Sequence, residues 1–189
     1  MATEAAGEGD QYVLRTPRLG LRTWQSCDIN PFARMNADAQ VMKYFPRLMS
    51  TAESQALVTR LNAHFEAHGF TYFAVDELSS GSFIGFVGLK VQLFAHPISP
   101  LVDCGWRLAP EYWGAGFATE AASAVVNWGF HKFRFAKIHS LAPRVNQPSI
   151  AVMQRIGLEF ESEFEHPLLS DCPHLQPCVL YSIHCTGAG

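Results

Sequence analysis

The sequence predicts a mixed α/β (α+β) domain, a twisted and mostly antiparallel sheet of about six or seven strands flanked by about four helices. Three observations carry this. Segments with alternating apolar residues are interleaved with segments whose apolar residues recur every three or four positions. The Ser79-Ser80-Gly81 turn joins two strand-like runs and calls for an antiparallel hairpin, which excludes a doubly wound parallel sheet. A glycine-rich turn, Gly114-Ala115-Gly116, separates a strand-like run from a helix-like one.

The elements follow in order. Leu19, Leu21 and Thr23 alternate with Gly20, Arg22 and Trp24 in a first strand. Asp28 to Ala37 reads as a short helix with Asp28 at its N-cap. Ser50 or Thr51, followed by Glu53 or Ser54, resembles the start of a second helix, which continues through Leu57, Leu61, His64, Phe65 and His68 to a C-cap at Gly69. Phe70 to Asp76 and Ser82 to Gln92 are the strands of the hairpin. Phe94 to Pro100 holds two prolines and reads as a loop, and Leu101 to Leu108 is the next strand, stopped by Pro110. Ala118, Ala121, Ala122, Val125, Val126 and Phe130 form the apolar stripe of a helix over Phe117 to Phe133. Lys137 to Ala142 is a strand, Pro148 to Arg155 a helix ending at Gly157, and Leu158 to Glu165 and Val179 to His184 are the last two strands.

Composition bounds what such a domain does. The 189 residues are 48% hydrophobic and 16% charged, enough apolar surface for one domain with a sizeable core. The net charge is −3, which argues against a nucleic-acid partner. No run approaches the about 18 apolar residues of a transmembrane helix, so no membrane partner is expected. The first ten residues are small and acidic, unlike a secretory signal, and the expected location is cytoplasmic. Five cysteines, an odd number, then read as reduced thiols. Cys172, Cys178 and Cys185 lie near His166, His174 and His184, but at spacings unlike those of a structural zinc site, so no metal is expected. Residues 1–12 read as a flexible tail and 13–185 as the domain.

The stretch Glu111-Tyr112-Trp113-Gly114-Ala115-Gly116-Phe117-Ala118 carries the most chemistry. Gly114 and Gly116 let the backbone approach a ligand closely, and a helix N-terminus just beyond offers free N–H groups to an anion such as a pyrophosphate. No Gly-Lys-Ser/Thr follows, so this is not a Walker loop. The third glycine of a dinucleotide fingerprint would fall at Thr119.

Together with Gly105-Trp106-Arg107-Leu108-Ala109-Pro110 before it and Thr119-Glu120-Ala121 after it, this stretch resembles the acetyl-CoA signature of the GNAT superfamily of N-acetyltransferases. It is most similar to the branch of the Rim-type ribosomal-protein N-acetyltransferases. Trp113 stands where Gln or Arg is usual. Thr16-Pro17-Arg18-Leu19, Phe83 to Leu89, Asn146-Gln147-Pro148-Ser149, Val152 to Leu158 and His166-Pro167-Leu168-Leu169 extend the resemblance from about Leu14 to Ile183.

The resemblance implies an N-acetyltransferase with splayed central strands and acetyl-CoA as cosubstrate. Trp106, Arg107 and Leu108 would line it through main chain, and Trp113, Gly114, Ala115, Gly116, Phe117, Ala118 and Thr119 would hold the pyrophosphate. Asn146 is either a contact to the pantetheine arm or a helix N-cap. Ser149 is either the acid toward the leaving thiolate, while also touching the cofactor, or the start of a helix. The tyrosine that many relatives use for that task is replaced by Met153. Asp103 is either the base for the amine or a structural carboxylate. Phe45, Arg47, Phe94 and His96 fall in loops that flank the acceptor cleft in the family. The acceptor would be an amine-bearing small molecule or a protein N-terminus, and the family leaves room for a homodimer. The rival reading is a non-catalytic acyl-CoA sensor on the same fold.

Overall fold

The described residues form four α-helices and eight strands. The strands are β1 (Leu14–Arg15), β2 (Leu19–Arg22), β3 (Tyr72–Glu77), β4 (Ser82–Gln92), β5 (Leu101–Leu108), β6 (Lys137–Pro143), β7 (Glu159–Glu165) and β8 (Pro177–His184). The helices are α1 (Ile29–Asn36), α2 (Thr51–His68), α3 (Phe117–Phe133) and α4 (Gln147–Arg155). This computed structural model describes residues 11–185. Of the expected tail, residues 1–10 lie outside the described residues, and Tyr12 lies against Gly20 and donates to Asp76 (3.3 Å).

Helix α2 begins and ends as its sequence dictates. The Ser50 hydroxyl accepts from the Glu53 amide (3.2 Å) while Glu53 accepts from the Ser50 amide (2.8 Å), a closed capping box. At the other end Gly69 takes φ 76°, the left-handed cap that glycine adopts without strain. Helix α1 differs from expectation. Asp28 makes no side-chain cap to it. Its carboxylate accepts from the Gln25 amide (2.8 Å) and takes both Nη groups of Arg22 (2.7 and 2.8 Å). Arg22 also grips Asp76 through Nε (2.7 Å) and Nη2 (2.9 Å), so one buried guanidinium pairs with two buried carboxylates. The two carboxylates hold the Arg22 pKa above the usual arginine value, against the effect of burial.

All the strands form one sheet in the order β1-β2-β3-β4-β5-β6-β8-β7. One more strand is present than expected, because β1 is only two residues long and carries no periodic signal. Every neighbouring pair is antiparallel except β5 and β6. Helices α1 and α2 cover one face, packing Phe32, Met35, Val58 and Leu61 on Ala74 and Phe86. Helix α3 covers the other, packing Ala121, Ala122 and Val125 on Phe73, Val87 and Leu89. A Cβ at Gly129 would sit 2.6 Å from Leu89, so glycine there lets α3 approach the sheet. Helix α4 seals a smaller core between Met153, Leu158, Val179 and Tyr181. Among the described residues no helix is long and apolar enough to cross a membrane.

Removing Arg22 would strand two carboxylates in a low-dielectric interior. Arg22→Leu is expected to lower the unfolding free energy in urea by about 3–5 kcal/mol. A loss below about 1 kcal/mol would show that the triad is not what stabilises this corner.

Candidate functional site

Strands β5 and β6 touch at one registered pair, Asp103 opposite His139, and then diverge. Side chains close the first part of the gap. Ser140 Oγ donates to the Cys104 carbonyl (2.8 Å), and the Leu141 amide donates to Asp103 Oδ1 (3.2 Å). Backbone groups alternate between the two edges of a strand, so the N–H and C=O of Trp106 point to the same open edge as the Cys104 carbonyl. The other edge of β5 is fully paired with β4, from Leu101 to Leu108.

The gap opens onto a cavity of about 970 Å³. Its floor is the end of β5, with Trp106, Arg107 and Leu108 in the lining. The chain then turns, and the Trp113 indole donates to the Leu108 carbonyl (2.8 Å), holding the turn closed. Gly114 and Gly116 have φ of 74° and 81°, in the region where a side chain would be strained. Gly116 is the N-cap of α3 and offers no side chain to its first turn. The amides of Phe117, Ala118 and Thr119 are therefore left for a ligand at the positive end of the helix. This arrangement fits a pyrophosphate.

Arg18 braces the turn from outside. It pairs with Glu120 (2.6 Å), donates to the Ala115 carbonyl (2.9 Å) and lies over the Phe117 ring (4.4 Å). Glu120 also accepts from the Thr16 hydroxyl (2.6 Å) and the Arg18 amide (3.0 Å). Ala115 thus faces Arg18 and lies outside the cavity lining.

Asn146 and Ser149 come from the start of α4. Asn146 is the N-cap of α4, its Oδ1 accepting from the Ser149 amide (3.3 Å), and the residue also lines the cavity wall. Ser149 lines the same wall, half-buried. Met153 is buried in the core beneath α4.

Asp103 lies outside the lining, and its geometry assigns it a task other than the base expected from the resemblance. It is buried, and its carboxylate takes the Tyr72 hydroxyl, the Gln92 amide (3.5 Å) and the Leu141 amide. The Tyr72 ring crosses the Gly88–Gly105 pair to reach it, since a Cβ at Gly105 would come within 2.9 Å of that ring. Desolvation pushes the Asp103 carboxyl up to about 6, against those hydrogen bonds and the nearby Lys90. Asp103 is the wedge at which the strands part.

The expected acceptor-cleft residues divide. Phe45 lines the cavity and covers the Arg107 guanidinium at 3.9 Å. Arg47 is spent on Glu53, the capping residue of α2. Phe94 and His96 pack on Phe164 and His166 instead, with Phe94 stacked on Phe164 at 6.1 Å, because the apolar rings bury against β7. His64 is held between the Phe70 carbonyl (2.8 Å) and the Val91 amide (3.2 Å), and burial lowers its pKa. Gln40, Val41, Lys43, Tyr44 and Arg155 also line the cavity. Sequence reasoning missed them, because the turn at Val41–Tyr44 is a short 3₁₀ segment without periodicity.

A family model described as an acetyltransferase (GNAT) domain matches residues 18–159. The uncharacterized N-acetyltransferase YnaD of Bacillus subtilis is 28% identical over 152 residues, 80% of this chain and 85% of that protein. A GNAT-family acetyltransferase from Bacillus anthracis superposes with a TM-score of 0.73 at 24% identity, covering 90% of this chain and 96% of that one. Mycobacterium smegmatis RimJ, solved with CoA-disulfide, has a TM-score of 0.69 at 20% identity over 88% of this chain and 82% of that one.

The wedge has a pH signature. A carboxyl raised from about 4 to about 6 favours its neutral form in the folded state, so its contribution to stability is present below about pH 4 and is lost as pH rises through 6. Asp103→Asn, which carries no charge, is expected to gain on the parent protein between pH 4 and 7, by about 3 kcal/mol at most. A difference in melting that stays constant over that range would contradict the raised pKa.

Proposed function

The chain belongs to the GNAT acetyltransferase family, and from that premise we propose that it transfers the acetyl group of acetyl-CoA to a primary amine by direct attack in a ternary complex. The acceptor is a protein or peptide N-terminal α-amine or a small amino compound. The observation that carries this reading is the parting of β5 and β6 immediately beside the bare N-terminus of α3.

Every demand of the reaction except deprotonation of the amine has a group to meet it. The amides of Phe117, Ala118 and Thr119 hold the pyrophosphate without any lysine. The free main-chain groups of Trp106 align the pantetheine arm as an added strand would, and orient the thioester toward the open side of β5. Asn146 Nδ2 donates to an amide carbonyl of that arm. Ser149 Oγ, on the same wall, donates to the sulfur as negative charge develops on it. Among the described residues the lining holds no histidine and one carboxylate, Glu120, which is engaged by Arg18 and Thr16. The amine therefore loses its proton to water in the cavity, and Asp103 acts by holding the strands apart.

Acetyl-CoA titrated into the protein by calorimetry should bind, and thiol release should follow when a suitable amine is added. Ser149→Ala should lower kcat about ten-fold or more and leave acetyl-CoA affinity within about three-fold. An unchanged kcat would remove Ser149 as the donor. Absence of binding at millimolar acetyl-CoA would end the transferase reading. The lack of a free base in the lining also favours a second reading, an acyl-CoA sensor, which would bind without releasing thiol to any amine.

A further inference from the structure

We propose that Arg107 reads a carboxylate on the acceptor, so that the amine acetylated here belongs to the amino-acid class. This rests on the transferase reading above. Arg107 follows Trp106 on β5, and strand alternation turns its side chain to the opposite face, toward α1, α2 and Phe45. It is only 9% exposed and forms part of the cavity wall.

Its guanidinium is held rigidly. The Phe45 and Phe86 rings lie 3.9 and 5.4 Å from it. Nη1 donates to Asn36 Oδ1 (2.6 Å), Asn36 Nδ2 donates to Ser54 Oγ (3.0 Å), and Ser54 Oγ donates to the Ser50 carbonyl (3.0 Å). Asn36 and Ser54 are fully buried, so the charge is positioned by a chain running into both helices.

What the guanidinium lacks is an anion. Nε is buried with no hydrogen-bond partner, and Nη2 donates to nothing among the described residues. Burial pulls its pKa down to about 10, with no carboxylate nearby to oppose it. Arg22 shows what this fold does with a structural buried arginine, which is to pair it with two carboxylates. Two aromatic faces and one amide oxygen recover only part of the desolvation cost at Arg107. The unspent edge, Nε with Nη2, has the fork geometry that suits a carboxylate.

The rest of the wall agrees. Lys43 and Arg155 add positive charge, and the only carboxylate in the lining among the described residues is spent. A polyamine would meet like charge there, whereas an amine carrying a carboxylate would meet its complement.

The test measures thiol release with a panel of amino acids, each paired with its primary amide, and with spermidine. Wild-type protein should favour the acid over the amide of its best pair by about ten-fold or more in kcat/KM. Arg107→Gln should bring that ratio to within about two-fold, and Arg107→Lys should restore part of it, with the KM for acetyl-CoA held within about three-fold throughout. Should Arg107→Gln not fold, the wild-type ratio decides. Preference for the amides or for spermidine, or a ratio that survives in Arg107→Gln, overturns the inference. Release with amides or spermidine alone would leave the transferase reading standing while this one falls.

Discussion

One interruption in the sheet governs the molecule. Strands β1 to β5 and strands β6 to β8 are two antiparallel blocks, joined by a single parallel pair at Asp103 and His139. The connection between them crosses over through α3, so the two central strands run the same way and part beyond that pair. A sheet opened in this manner leaves backbone donors and acceptors without partners, which an interior does not tolerate. The chain answers for the first of them with Ser140 and with Asp103 itself. The groups further along, at Trp106, are where the proposed cosubstrate would pair with the strand. The crossover also fixes what stands at the mouth of the gap, because a helix leaving the end of β5 must begin there. Its glycine turn, held by Trp113 and braced by Arg18, presents amides where an anion can sit. A net charge of −3 is no obstacle to an anionic cosubstrate when the binding groups are helix-end amides.

Buried charges in the fold are treated in three ways. Arg22 is neutralised by two carboxylates and belongs to the scaffold. Asp103 is surrounded by neutral donors that satisfy its oxygens, while burial pushes its pKa up. Arg107 has a single neutral acceptor and two aromatic faces. Only the third leaves hydrogen-bonding capacity unspent, and only the third faces the cavity. The same physics that makes the first a stabilising device makes the last an open demand for a partner.

Local features of the fold were legible in the sequence because their causes are local. The box of Ser50 and Glu53, the cap at Gly69, the hairpin at Gly81 and the stripe of α3 each depend on residues a few positions apart. The glycine turn was legible for the same reason. What the sequence hid depends on distant partners. Asp28 has the local look of a helix cap, yet its carboxylate is claimed by Arg22, which Asp76 holds in place from β3. Asp103 has the look of a base until Tyr72, 31 residues earlier, is seen reaching across two glycines to hold it. Phe94 and His96 are drawn away from the cavity by Phe164 and His166, which no spacing rule connects to them. Arg107 is expected from the resemblance to act through main chain, because a buried guanidinium with no carboxylate partner shows only once its surroundings are known.

If acetyl-CoA completes the open edge of β5 and the first turn of α3, as proposed, both must become protected when it binds. Amide hydrogen exchange in the presence and absence of acetyl-CoA measures this directly. Slowed exchange should concentrate at Trp106 and at Phe117, Ala118 and Thr119, with β3 and the β4-facing amides of β5 unchanged. Binding accompanied by protection elsewhere, with those amides still exchanging at their free rate, would contradict it.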